Sequence, residues 1–346
     1  MATTKLRFGT LNLQNLQLPG EDMHPRSKQY TTDEYNDKIT WLAEMVNRMD
    51  ADVYGFQELW NPECLHDVFA KAGKLADFQL ICADETNTIN VAAAVRNNSG
   101  FKVRGMQWHE KFPEEVVLRK RQGEGPEALY EMSVEIGRFA RKLLELDIDT
   151  PPQAAPPIRL FVAHLKSKLP MELDKGDLSD AVKPHAQALG SVLSTIRRTA
   201  EAGALRVILT KLMKGTNLPV VVIGDLNDAP SSVTTSIISQ EPSFRLRAQS
   251  TAGCRSDCGL YSAMMLQELH SFRDVFYTYI HEGRHESLDH VLVSEQFYDY
   301  SEQRQWSLSR LEVFNDHLDE RQSHAELIRL RSDHAGMVAE FVRDPA

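Results

Sequence analysis

The sequence predicts an α/β protein, on three observations. Leu218–Pro230 reads L-P-V-V-V-I-G-D-L-N-D-A-P, and its run of β-branched residues, Val220 to Ile223, is the signature of a strand buried on both faces. Between Lys5 and Glu58 a strand pattern, a helix pattern and a second strand pattern follow one another, the order of a βαβ unit. A long helical pattern, Pro184–Lys214, leads directly into the Val220 strand. At 346 residues, with 42% hydrophobic and 25% charged side chains, the chain has the composition of a soluble globular protein and the length to bury a large core.

Lys5–Leu13 alternates Leu6, Phe8, Thr10 and Asn12 against Arg7, Gly9, Leu11 and Leu13, a strand of mixed burial whose polar end carries Asn12 and Asn15. Thr31 and Glu34 have the spacing of a capping box. Tyr35, Ile39, Leu42, Val46 and Met49 then step by four and three along one helix face. Asp52–Glu58 is the next strand, closed by Gln57-Glu58. Further strands are read at Phe78–Ala83, Ile89–Val95, Phe101–Trp108, Lys142–Ile148 and Ile158–His164, with the proline-rich Thr150–Pro157 connecting the last two. Glu114–Glu131, charged and holding Gly123, Gly125 and Pro126, reads as a surface loop with a basic run at Arg119–Arg121.

The Pro184–Lys214 helix is expected to bury Leu189, Leu193, Ile196, Ala200, Ala204, Val207 and Ile208. Beyond Pro230 the chain is loop-rich, with helix around Leu260–Leu269. Two similar segments close it: Ser287–Ser294, with Asp289-His290 entering an apolar strand, and Arg331–Val342, with Asp333-His334 before the last strand. No composition shift or repeat divides the chain, so residues 1–346 are expected to form one domain.

Composition narrows the function classes. Four cysteines at this length do not make a disulfide framework; Cys254 and Cys258 could bridge, but C-x3-C without neighbouring histidines is a poor zinc signal, and two incidental thiols, with Cys64 and Cys82 packed or partly packed, are the simpler reading. A net charge of −10 argues against wide, non-specific duplex binding, though not against a small phosphate ester held through a metal ion. No apolar run spans a bilayer, and Met1–Lys5 enters a strand pattern without the apolar core of a signal peptide, so a cytoplasmic protein without membrane insertion is expected.

The chemistry lies at strand ends. In order the chain offers Asn12, Gln57-Glu58, His164, Asp225 with Asn227, Asp289, and Asp333-His334. Taken alone, G-D-L-N-D is as well explained by a polar turn, and a lone Asp-His pair by structure. Together they supply hard oxygen ligands, a carboxylate base and a paired histidine, the parts of metal-assisted phosphate ester hydrolysis.

In these blocks, T-L-N-L (10–13), G-F-Q-E (55–58), V-A-H-L-K-S-K (162–168), V-V-V-I-G-D-L-N-D (220–228), S-L-D-H-V-L-V-S (287–294) and S-D-H (332–334), the chain resembles the endonuclease/exonuclease/phosphatase superfamily, related to deoxyribonuclease I and exonuclease III, over essentially its whole length. H-L-K-S-K and Y-x-Y-x-x-x-G (277–283) look like a bacterial branch. The resemblance implies a four-layer α/β/β/α sandwich, with two packed mixed sheets, helices outside and a site at the strand ends on one edge.

It further implies a Mg2+-dependent phosphodiester hydrolase, Mn2+ being an alternative ion and a nuclease the leading form. A phosphatase or phospholipase-C-like enzyme on an inositol phosphate, sphingolipid or similar ester is the runner-up, and a non-catalytic binding protein the reading from another class. The substrate, nucleic acid or small ester, is then the partner, and no obligate protein partner is implied. Carried over by position, Glu58 is the main metal ligand, with Asn12 adjacent and Asp333 on the metal side. Asp225 orients and deprotonates the attacking water, and Asn227 fixes Asp225 or the phosphate. His334, aimed by Asp289, donates to a phosphate oxygen, a base role being the competing assignment. His164 touches the phosphate from the other flank, and Lys166 and Ser167 hold the ester. Asp228 falls to turn chemistry, Asn315-Asp316-His317 is an imitation of S-D-H on a polar loop, and His290 alternates away from the site. Tyr277, Tyr279 and Arg284 either line a pocket or pack a hairpin. A basic groove of Arg119–Arg121, Lys166 and Lys168 would favour the nuclease.

Overall fold

A computed structural model describes residues 4–24, 27–86, 88–97, 100–121, 130–151, 156–240, 242, 258–271, 277–281, 283–318 and 329–343. Two six-stranded sheets dominate it. The first holds β1 (Thr4–Leu16), β2 (Val53–Leu59), β3 (Phe78–Cys82), β4 (Asn90–Arg96), β15 (Ser307–Phe314) and β16 (Gly336–Arg343), ordered β15-β16-β1-β2-β4-β3. The second holds β5 (Lys102–Lys111), β8 (Arg138–Asp149), β9 (Ile158–His164), β10 (Val220–Asp225), β11 (Tyr261–Ser262) and β14 (Asp289–Val293), ordered β11-β14-β10-β9-β8-β5. Both are mixed: β1–β2 and β9–β10 are parallel, while β1–β16 and β10–β14 are antiparallel.

Three apolar clusters show the layering. Leu6, Phe8, Val53, Leu160, Val162, Val221, Ile223, Val291 and Met337 form the core between the sheets. Leu11, Leu13, Tyr54 and Phe56 face the other way, onto α1 (Thr32–Met49) and α2 (Pro62–Lys71). Phe161, Val220 and Val222 face α3 (Ala186–Met213) and Ile238 of α4 (Val233–Ser239). The result is the expected α/β/β/α sandwich. The Thr31/Glu34 capping box is present in both directions. The sheets approach closely where β2 has Gly55, since an added Cβ would come within 2.7 Å of the Ile223 side chain.

Several local expectations change. Arg119–Arg121, expected in a loop, is a short strand, β6, paired with β7 (Tyr130–Ser133); the Arg119 and Lys120 side chains are exposed. α2 and β15 had no clear signal, α2 because it is ten residues long and begins at Asn61-Pro62 directly after a strand. The expected stripe of α3 holds only from Ala200 onward. Leu189, Leu193 and Ile196 are exposed, and Gly190, Ser194, Arg198 and Glu201 are buried instead. The cause is the loop 165–171, which packs on this face: Ser194 Oγ donates to the Leu169 carbonyl, and a Cβ at Gly190 would strike the Met171 carbonyl. α5 (Ala263–His270) occupies the helix expected near Leu260–Leu269. Cys64 is buried and Cys82 half-buried, while Cys254 lies outside the described residues. Among the described residues no helix is long and apolar enough to cross a membrane.

Candidate active site

The alternation that builds the inter-sheet core also delivers the site. Each inward-facing column of apolar side chains ends in a polar one: Leu6-Phe8-Thr10-Asn12 on β1, Leu160-Val162-His164 on β9, Val221-Ile223-Asp225 on β10 and Val293-Val291-Asp289 on β14. The register sets Asp225 directly between His164 and Asp289. The polar ends therefore gather on one edge, between the sheets.

Glu58 does not follow this alternation. Parity puts Gln57 inward, where it accepts the Thr10 hydroxyl (3.2 Å). Glu58 sits at φ 62 in an irregular stretch of the β1–β2 and β2–β4 pairings, and this left-handed turn brings its carboxylate round to the Asn12 carboxamide (3.2 Å). Its second oxygen accepts the Asn15 N–H (3.0 Å), and Asn12 Oδ1 accepts the Gln14 N–H (2.9 Å). Gln14 and Asn15 are themselves left-handed, at φ 48 and 53.

Opposite, on the second sheet, Asp225 is buried and accepts hydrogen bonds from Asn12 Nδ2 (3.2 Å) and the Asn227 N–H (2.8 Å). Asn227, at φ 55, donates its carboxamide to the Leu165 carbonyl (3.1 Å), so its backbone, not its side chain, aims Asp225. His334 Nδ1 lies 2.8 Å from Asp289 Oδ2, and Nε2 lies 3.8 Å from Asp225 Oδ2. His164 Nε2 stands 3.7 Å from Asp225 and 3.9 Å from Glu58. Burial pushes Asp225 up to about 7, against the pull of His334. Burial also works against an imidazolium at His334, but the Asp289 and Asp225 carboxylates outweigh it and hold that ring well above its ordinary value. His164, buried and near the cations Arg141, His334 and Lys166, is pushed well below and is neutral.

Supporting residues complete the site, Ser332 and Thr278 among them with no role assigned from the sequence. Ser332 Oγ donates to the Asn12 carbonyl (2.8 Å) and accepts the His334 N–H (3.0 Å), stitching the two ends of the first sheet together. Thr278 Oγ1 accepts the N–H groups of Leu288 and Asp289. The Tyr279 ring lies 4.9 Å from that of His334, in a hairpin of β12 (Tyr279–His281) and β13 (Arg284–Glu286). Asn315-Asp316-His317 is more than an imitation: His317 Nε2 is 3.0 Å from the His334 carbonyl, so this loop supports the site without entering it. His290 does face away, with Nε2 at the Asp228 carbonyl (2.8 Å), and Asp228 is held by Thr234 and Arg198.

Other assigned residues lie differently. Asp333 is half-buried beside His334, and its charge bears on Lys38, Tyr279 and His334. Lys166 directs its ammonium to Ser167 Oγ (3.0 Å) and to the Ser167 and Leu169 carbonyls, a tie within the loop and not one into the cluster. Of the basic residues named for a groove, Lys168 pairs with Glu286 (2.6 Å) and Lys120 with Glu131 (3.2 Å).

Among the described residues at this edge, two groups have the donors to hold a cation. Ligand atoms of Asp225, Asp289 and His334 lie within 4.8 Å of one another, a geometry able to bind a metal. An imidazolium is a poor ligand, however, and His334 already engages Asp289. Glu58 and Asn12 present hard oxygens, and Glu58, 19% exposed against 1% for Asp225, is reachable from solvent.

The fold is that of solved endonuclease/exonuclease/phosphatase proteins. Among solved structures, an endonuclease/exonuclease/phosphatase family protein from Bacteroides thetaiotaomicron superposes with a TM-score of 0.56 at 15% identity, covering 100% of both chains. D. rerio TDP2 complexed with single-strand DNA product gives 0.55 at 14%, over 98% of this chain and 99% of that one. A mannosyl-6-phosphatase from Bacteroides thetaiotaomicron gives 0.54 at 14%, over 97% and 99%. No protein-family model matches the sequence, and no curated protein matches it.

Proposed function

We propose that the protein is a divalent-metal-dependent phosphoester hydrolase. The observation that carries this reading is the meeting, across two sheets, of a solvent-reachable carboxylate–carboxamide pair (Glu58, Asn12) with a buried Asp225 and an Asp289-held His334. Glu58 and Asn12, with Asp333 on their side, would hold Mg2+ or Mn2+, whose oxygen preference they match. When bound, such an ion neutralises a non-bridging phosphate oxygen and the departing alkoxide.

The remaining steps fall to the chain. Asp225, oriented by the Asn227 N–H, takes the proton of the attacking water; a carboxylate raised to about 7 is suited to that task near neutrality. Asp289 fixes His334 at Nδ1, leaving Nε2–H to donate to a phosphate oxygen. His164, neutral, contributes a hydrogen bond from the other flank.

A phosphodiester substrate, in a nuclease, is the first form of this activity; the TDP2 neighbour is solved with single-strand DNA. A small phosphate ester is the second, favoured by the net charge of −10 and by the carboxylates that occupy Lys120 and Lys168. A screen with Mg2+ or Mn2+ over single- and double-stranded DNA, RNA, bis-p-nitrophenyl phosphate and inositol phosphates tests both. Hydrolysis abolished by EDTA and by Glu58→Gln is expected. Hydrolysis indifferent to both would end the metal reading, and activity on monoesters alone would select the second form.

A further inference from the structure

Lys38, in α1, is a lysine with 0% exposure. Among the described residues no carboxylate lies within ion-pair distance of it. Its ammonium donates instead to two backbone carbonyls, of Gln14 (2.8 Å) and Arg329 (3.2 Å), and lies 5.3 Å from the centre of the Tyr30 ring. A cation so deep is expensive, and a methionine would fill the same space without that penalty. Its stability contribution therefore does not explain it, and the position of its two acceptors does.

Both acceptors belong to segments that carry the site. Gln14 opens the left-handed Gln14–Asn15 turn, from which one N–H goes to Asn12 Oδ1 and the next to Glu58 Oε2. Arg329 precedes Ser332, whose hydroxyl ties the Asn12 carbonyl to the His334 N–H. Among the described residues, the tie in this set that comes from α1 is the Lys38 ammonium. Two consecutive non-glycine residues at positive φ are strained unless their surroundings hold them, and the Lys38 ammonium is the charged donor among the groups that do so, beside the Tyr30 hydroxyl at the same carbonyl (3.4 Å) and Trp60 Nε1 at Asn15 Oδ1 (3.0 Å).

We propose that Lys38 is a positioning residue for the cation site: it locks the Gln14–Asn15 turn against the 329–334 segment, so that Glu58 stays turned toward Asn12. The role rests on the reading of Glu58 and Asn12 as metal ligands. Loss of the lysine should weaken cation binding while leaving the Asp225–His334–Asp289 side intact.

The test is direct Mn2+ binding to the substrate-free protein, followed by the electron paramagnetic resonance signal of free Mn2+, for wild type, Lys38→Met and Glu58→Gln. Outer-sphere partners of metal ligands are commonly worth about 10–100-fold in affinity. Lys38→Met is expected to weaken Mn2+ binding about tenfold or more, to speed amide exchange at Asn15, and to recover its kcat at saturating Mn2+, with Tm unchanged or raised. A lysine of purely structural value would lower Tm and leave Mn2+ affinity alone. Should Lys38→Met not fold, Asn15→Gly, which frees the same turn and removes its bond to Trp60 Nε1 (3.0 Å), must weaken Mn2+ binding in its place. Wild-type affinity in the variant that folds overturns the proposal. Wild-type affinity in Glu58→Gln removes the cation site from Glu58 and the positioning role with it.

Discussion

At the scale of single residues, the site separates its duties by environment. Asp225 and Asp289 are both buried carboxylates, yet one is aimed by a backbone N–H and the other engages an imidazole. General acid–base groups are worth about 10²–10⁴-fold each. Asp225→Asn and His334→Ala are therefore each expected to lower kcat by about that factor while unfolding as the wild type does, checked by steady-state kinetics alongside thermal melts. The same pair sets the pH response. On the proposed reading Asp225 acts when deprotonated, and burial pushes it up to about 7, so kcat/KM should fall as pH drops through about 7. His334 stays protonated well above 6.5, so the alkaline limb lies higher, and His334→Ala should abolish it.

At the scale of elements, legibility in the sequence followed the source of each signal. Strands β1, β9, β10 and β14 were readable because their alternation is set by the core, and the site residues that extend this alternation were found with them. Glu58 was not readable in this way: alternation selects Gln57, and only a left-handed residue in an irregular pairing brings Glu58 into place. That residue was reached through the resemblance. The first half of α3 misled for the opposite reason, since its buried face holds Ser194 and Arg198 for a loop, while Leu189, Leu193 and Ile196 face solvent. Gly224 shows how little freedom the β10 end has: its φ is 137, and a Cβ would lie 2.0 Å from the Ala163 carbonyl. Gly224→Ala should cost at least about 2 kcal/mol in denaturant unfolding and displace Asp225 from His164, with a loss of activity beyond that of stability.

At the scale of the whole molecule, the half-buried His317 couples the fold to pH. Burial holds His317 below its ordinary value, so it is folded neutral and unfolded protonated in mild acid. Its contribution is complete above about 6.5 and drains away as pH falls through its folded value. His317→Gln, which keeps a donor for the His334 carbonyl, should match the wild type above that pH. Below it, the variant should lose stability less steeply, by up to about 1.4 kcal/mol per pH unit. Chemical unfolding of both proteins between pH 5 and 8 measures the difference. The residue was legible only as an imitation of S-D-H, because its role depends on a carbonyl seventeen positions away and not on its own motif.

The order of strands has a consequence in time. The first sheet is begun by residues 4–96 and finished by 307–343, and its closing strand, β16, lies beside β1, with Thr4 opposite Arg343. The second sheet, with His164, Asp225 and Asp289, is complete in sequence before that strand exists. During synthesis the chain therefore carries a finished half-site against an unfinished wall, and His334 is among the last of its parts to arrive. On the proposed reading, a hydrolytic site cannot assemble until β16, which follows His334, has been made and paired with β1.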